Sequence, residues 1–275
     1  MLVDYHIHTP YCGHAQGAIV DYVENAIRAG LDEIAFTDHL GRYYLTPSQR
    51  RRNFDWGMDD RMLHKYVAEL SDVRDAYADR IRIRIGLEID YIEGAEHLLD
   101  PWLQIFPFDV ALGSIHCLPK FGWRHISETS QSHPEQVFTE YFAAAHALVA
   151  SGRFQSLAHL DFVWRYVKWP KSAEVDVFAL ITDIVRRISE SPMAIEVNAN
   201  GFLWSQLYQV PGGDPFDHLL DQIREYQAPI TIGSDAHTPK HVGKTFAQLL
   251  TLLKHKGIAT VRLFDNGVPA SVPLG

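Results

Sequence analysis

The chain predicts a closed α/β barrel of roughly seven parallel strands, and three observations carry that reading. Short apolar stretches alternate with longer amphipathic ones along 275 residues. Seven of the short stretches finish on histidine, carboxylate or amide side chains. A closed barrel gathers all its strand C-termini on one face, whereas an open sheet spreads them along a line and keeps the first and last apart.

Taken in order, LVDYHIH ends in His6 and His8, and residues 17 to 29 follow with Ile19, Val23, Ala26 and Ile27 on one helical stripe and Gly30 as a C-terminal cap. EIAFTDH ends in Asp38 and His39 and precedes a helical pattern at 60 to 78. IRIRIGLEID ends in Glu88 and Asp90, and DVALGSIH in His116, with a helix expected at 135 to 150. SLAHLD ends in His159 and Asp161, with a helix at 174 to 190 stopped near Pro192. MAIEVNAN carries Glu196, Asn198 and Asn200 ahead of a helix at 215 to 226 stopped near Pro229, and PITIGSDAH ends in Asp235 and His237. Most of these strands are too apolar on both faces for a sheet with one wet side, which favours a parallel sheet under right-handed helical crossovers. One domain over residues 1 to 275 accommodates the pattern, with no internal repeat, low-complexity tract or linker. The long irregular segment 41 to 59, GRYYLTPSQRRRNFDWGMD, reads as a loop over the barrel mouth.

Composition narrows the function. With 25 basic against 34 acidic residues the formal charge is −9, which disfavours a nonspecific phosphate-backbone binder and leaves nucleic acid only as a local substrate. No apolar run approaches the roughly 18 residues of a membrane helix, and Met1 runs straight into LVDYHI, so the expectation is a soluble, cytoplasmic protein without a membrane partner. Two cysteines, Cys12 and Cys117, are too few for a disulfide framework, suit a reducing compartment, and either ligate a soft metal or fill small packing roles.

His6 and His8, at i and i+2 on a strand, point the same way, so one cation can be gripped by both imidazoles. A run of solvated or core histidines is the bland alternative, but it must explain why seven of the 15 histidines fall in or just after strand ends. The histidines at 64, 97, 125, 133, 146, 218, 241 and 255 show no such pattern and take the bland reading. Imidazole with carboxylate suits Zn, Fe or Mn, and no thiolate requirement selects among them.

HxH at 6 to 8, TDH at 37 to 39, GLE at 86 to 88, GSIH at 113 to 116, AHLD at 158 to 161, EVN at 196 to 198 and SDAH at 234 to 237 together resemble the ordered motifs of the PHP (polymerase and histidinol phosphatase) superfamily. The resemblance implies a distorted (β/α)7 TIM-like barrel, with three divalent metal ions at its C-terminal mouth. Carried over motif by motif, it implies that His6, His8, Glu88 and Asp235 hold a first ion, that Glu88, His116 and His159 hold a second, and that His14, His39 and His237 hold a third. Glu88, Asp235 and His237 would be the catalytic set, acting on a small phosphorylated substrate attacked by a hydroxide shared between two cations. Stand-alone length, the opening TPYCGHA and the stretch HLDFVWRY are similar to histidinol-phosphatases, which hydrolyse L-histidinol phosphate to L-histidinol and phosphate. The alternatives are a PHP phosphoesterase acting on another phosphomonoester, a nucleotide or a nucleic-acid end, and a noncatalytic metal-bearing module, against which the complete ligand set argues.

Other candidates flank this set. Arg165 is the candidate phosphate clamp, since a guanidinium grips two phosphate oxygens, with Lys168 a weaker one and a surface position the alternative for both. Asn198 and Asn200 are read as substrate contacts or loop supports, and Glu196 as facing either core or cluster. Asp38 and Asp161 either orient ligand histidines or cap local turns. Tyr43, Tyr44, Phe54, Trp56 and Trp123 either stack on a substrate ring or cap the barrel, and Arg50, Arg51 and Arg52 either attract anions or form a solvated face.

Overall fold

Every residue of strands β1 (Val3–Ile7), β2 (Glu33–Leu40) and β4 (Val110–Ser114) is buried, and β3 (Arg82–Asp90) is buried from Ile85 onward. Continuous burial of this kind requires cover on both faces, the signature of a parallel sheet inside a shell of helices. The structure, a computed structural model, describes residues 1–41, 43–46, 57–122, 124–129, 133–172 and 174–275. A short hairpin, β5 (Cys117–Leu118) with β6 (Arg124–His125), interrupts the succession before β7 (Ser156–Leu157), β8 (Ala194–Asn198) and β9 (Ile230–Gly233). The seven parallel strands run in the order β1-β2-β3-β4-β7-β8-β9. The sheet is a nearly closed barrel: beyond β9 the chain bridges back to β1 at Ile7 and Ala236, with His8 N donating to Ala236 O at 2.9 Å and Ala236 N to His6 O at 3.3 Å. All seven expected strands are present.

The connections are α1 (Ile19–Arg28), α2 (Asp60–Ala76), α3 (Glu96–Leu103), α4 (Pro134–Ser151), α5 (Phe162–Tyr166), α6 (Val177–Ser189), α7 (Ala199–Ser205), α8 (Pro215–Tyr226) and α9 (Phe246–His255). Five match the expected helices; α3, α5, α7 and α9 are additional. Local chemistry sets the ends. Asp59, Asp176 and Asp214 cap α2, α6 and α8 by accepting from Met62, Ala179 and Phe216 backbone N–H groups. Gly30, at φ +74°, closes α1 as expected, with Leu31 N donating to Ala26 O at 3.0 Å.

A further hairpin, β10 (Thr260–Asp265) with β11 (Val268–Pro273), closes the end of the barrel away from the strand C-termini. Its Phe264 N donates to Tyr5 Oη at 3.1 Å, while Tyr5 Oη also bonds the buried Glu33 carboxylate. Arg84 spans Glu33 at 3.3 Å and Asp265 at 2.9 Å, so the hairpin is tied to β1, β2 and β3. No helix among the described residues is long and apolar enough to cross a membrane. Of the 41 to 59 segment, Tyr43 is buried and donates to Asp90 O at 2.7 Å, with Tyr44 edge-on to it. Arg50, Arg51, Arg52, Phe54, Trp56 and Trp123 lie outside the described residues, and with them the expected loop over the mouth.

Candidate metal centre

Parallel register is what brings the donors to one level. His39 on β2 sits beside Glu88 on β3, and its Nδ1 lies 3.0 Å from Glu88 Oε2. The same oxygen is 3.1 Å from His6 Nε2 and 3.4 Å from His8 Nε2, whereas Glu88 Oε1 faces His159 Nε2 at 2.8 Å and His116 Nε2 at 3.4 Å. One carboxylate thus addresses two separate groups of imidazoles. Asp235 Oδ1 lies 3.8 Å from His6 Nε2 and 3.4 Å from His8 Nε2. His14, from the loop after β1, meets His237 with their Nε2 atoms 2.9 Å apart, and ligand atoms of these two and His39 all fall within 4.8 Å. All nine residues read from the sequence as ligands therefore converge at the C-terminal rim.

The backbone is shaped for this convergence. Gly233 passes so close to β8 and β1 that a Cβ would stand 1.9 Å from Glu196 Oε1 and 2.5 Å from His6 Cβ. Asp235 adopts φ +54°, a left-handed conformation uncommon away from glycine, and this turn swings Ala236 onto β1.

The residues fit divalent cations on chemical grounds. His6 Nε2, His8 Nε2 and Glu88 Oε2 are buried and find no hydrogen-bond partner among the described residues, although they lie within ion-pair distance of one another. Buried polar atoms are ordinarily satisfied, so a group of them aimed at one another marks a place for a ligand. His116 Nε2 and His159 Nε2 likewise approach to 3.2 Å. Burial, together with the neighbouring His237 and His39, holds His8 well below the usual imidazole range, so its ring is neutral and its lone pair available. Burial alone would raise Glu88, but His39, His6 and His116 keep its carboxyl well below the usual range.

Carboxylates behind the rings set their orientation. Glu196 Oε1 lies 2.7 Å from His6 Nδ1, and its Oε2 accepts from His159 N at 2.7 Å, so Glu196 faces the cluster. Asp90 Oδ1 lies 2.7 Å from His116 Nδ1. With a carboxylate on Nδ1, the tautomer that carries its proton there leaves Nε2 free to coordinate. Asp90→Asn is expected to weaken metal binding about 10- to 100-fold with the fold intact, measured by competition against a chromophoric chelator.

Other expected residues lie around this core. Asp38 accepts from Thr9 N at 2.8 Å and Thr9 Oγ1 at 2.6 Å, fixing the turn after β1, and stands 4.0 Å from His8 Nδ1. Asp161 faces Arg165, whose Nε is 2.8 Å away, and Arg165 is itself largely buried over the Phe162 ring. Lys168 lines a groove of about 500 Å³ with Trp164, Arg165 and Trp204. Asn198, read as a substrate contact, is fully buried: its amide donates to Glu196 Oε2 at 3.2 Å and accepts from Asn200 N at 2.9 Å. Asn200 reaches Asp235 Oδ2 at 3.2 Å. Both cysteines are buried and free, and ligand atoms of Cys12, His8 and His237 lie within 4.8 Å of one another. His125, given the bland reading in the sequence, stacks beside His116 with ring centroids 6.0 Å apart, because β6 pairs Cys117 with His125 immediately after His116. Adjacency of HC at 116 to 117 and RH at 124 to 125 is the only sequence trace of that contact.

A seven-stranded barrel with an imidazole and carboxylate cluster at its C-terminal rim defines a class of metal-binding barrel. The chain belongs to the PHP domain family, whose profile matches residues 4–200. Among its relatives are a probable histidinol-phosphatase of Deinococcus radiodurans, 31% identical with 94% of this chain and 95% of that protein covered, and the histidinol-phosphatase of Bacillus subtilis, 25% identical with 90% and 97% covered. In three dimensions it resembles the histidinol phosphate phosphatase of Lactococcus lactis solved with zinc, L-histidinol and phosphate, at a TM-score of 0.76, 23% identity and 98% coverage of both chains.

Proposed function

We propose that this chain is a metal-dependent phosphomonoesterase that hydrolyses L-histidinol phosphate to L-histidinol and inorganic phosphate, and that residues 1–275 work as one unit in doing so. The observation that carries the proposal is Glu88, whose two oxygens face two sets of histidines in a chain that matches a probable histidinol-phosphatase over nearly its full length. We assign His6, His8, Glu88 and Asp235 to a first ion, Glu88, His116 and His159 to a second, and His14, His39 and His237 to a third. Divalent cations held there would polarise phosphoryl oxygens and acidify a water near neutral pH.

The chain's own residues do the rest. Glu88 and Asp235, kept as carboxylates by the imidazoles around them, balance the positive charge of the centre. Glu196 and Asp90 hold His6 and His116 in fixed orientation, so the rim does not reorganise as charge moves during phosphoryl transfer. Arg165, aligned by Asp161, has an Nη2 with no acceptor among the described residues, and we place it against a phosphoryl oxygen. Asn198 acts indirectly, by seating Glu196 and Asn200.

The test is phosphate release from L-histidinol phosphate by protein stripped with a chelator and reloaded with Zn, Mn or Fe, with elemental analysis of the same sample. Activity is expected to vanish on stripping and return on reloading, with kcat/KM for histidinol phosphate at least about tenfold above sugar phosphates, nucleoside monophosphates and 5′-phosphorylated oligonucleotides, a gap of about 1.4 kcal/mol. A tenfold preference for any other ester overturns the substrate assignment.

A further inference from the structure

We propose that the small cavity beside Asp235 is a phosphate subsite in which Lys244 holds the phosphate dianion of the substrate, an inference that rests on the phosphatase reading above. The cavity encloses about 160 Å³, and Asn200, Ser234, Asp235, His237, His241 and Lys244 supply its polar wall. Two of these, Asp235 and His237, also belong to the donor cluster, so the cavity shares a wall with it.

Lys244 stands on a short loop that the barrel itself holds in place. The buried Asp4 of β1 accepts from Gly243 N at 3.1 Å and from Ser234 N at 2.9 Å, tying this loop and the end of β9 to the strand that carries His6. Lys244 N donates to His241 O at 3.0 Å, closing the turn. The ammonium stem thus leaves a fixed backbone point at the residue directly after a clamp on β1.

Its charge is uncommitted. Lys256 is held between Asp217 and Asp221, at 2.6 and 2.8 Å, whereas Lys244 has no ion pair among the described residues. Asp235, the one carboxylate in the cavity wall, is engaged on both oxygens, by His6 and His8 on Oδ1 and by Asn200 on Oδ2. Lys244 is exposed yet lines this concavity, and an ammonium there on a chain of net charge −9 is a local reversal of sign that suits a small dianion. An ordinary exposed lysine on a convex face would share no cavity with the centre.

The experiment uses Lys244→Met, which keeps the stem and removes the charge, and Lys244→Arg, which keeps the charge. Inorganic phosphate is titrated calorimetrically into metal-loaded protein of verified metal content, and its competitive inhibition is measured with para-nitrophenyl phosphate. Phosphate affinity is expected to fall about tenfold in Lys244→Met and to stay within about threefold of wild type in Lys244→Arg, with metal content unchanged and KM for histidinol phosphate rising in step. Equal phosphate affinity in wild type and Lys244→Met overturns the subsite while leaving the phosphatase reading standing. Absence of phosphate binding to fully metal-loaded wild type overturns both.

Discussion

Glu88→Gln is expected to lower kcat/KM at least about a thousandfold and to reduce the metal content of the purified protein. The amide is nearly isosteric, so the barrel survives, but it removes the one negative charge whose two oxygens face His6, His8 and His39 on one side and His116 and His159 on the other. Losing about 4 kcal/mol of charge stabilisation corresponds to a thousandfold in rate. Elemental analysis and phosphate release on the same preparation check both effects, with circular dichroism reporting the fold. A variant with wild-type metal content and turnover would show that Glu88 is not shared between ions.

Gly233→Ala tests the backbone beneath the cluster. The added methyl cannot fit without moving Glu196 or β1, since its contacts would be 1.9 Å to Glu196 Oε1 and 2.5 Å to His6 Cβ. Overpacking of this kind costs about 1 to 3 kcal/mol, and shifting His6 by about 1 Å lowers turnover about a hundredfold. Thermal unfolding and phosphate release are the two readouts. A variant unchanged in both would mean that β9 has slack the geometry does not show.

Strand-end position marked the polar residues a parallel barrel delivers to its rim, and the resemblance to an ordered set of motifs singled out nine of them as proposed donors. Period-two alternation also places Asp90 on the face of Glu88, and Glu196 at the same level of β8, so their support of His116 and His6 follows from the strand pattern once the strands are placed. His125 is different. It reaches His116 through a two-residue strand pair, and pairing that short leaves no periodicity to read. Helices α5 and α7, at five and seven residues, are likewise too brief for a helical stripe to stand out. The terminal hairpin did carry a signal: Asn266 and Gly267, at φ 48° and 76°, form the tight turn that joins β10 to β11. Strands recognised by polar C-terminal ends pass over it, because this hairpin carries none of the proposed ligands and instead braces the far end of the barrel at Tyr5, Arg84 and Asp109.

The bridge between Ile7 and Ala236 has a consequence for biosynthesis. The hydrogen bond from Ser234 to Asp4 beside it spans 230 positions, so the pocket shared by the first and last strands cannot exist on a nascent chain until most of it has left the ribosome. Ions bound at the proposed site would therefore be captured only when the last barrel strand docks on the first, and metal loading would report that the two ends of the barrel have met.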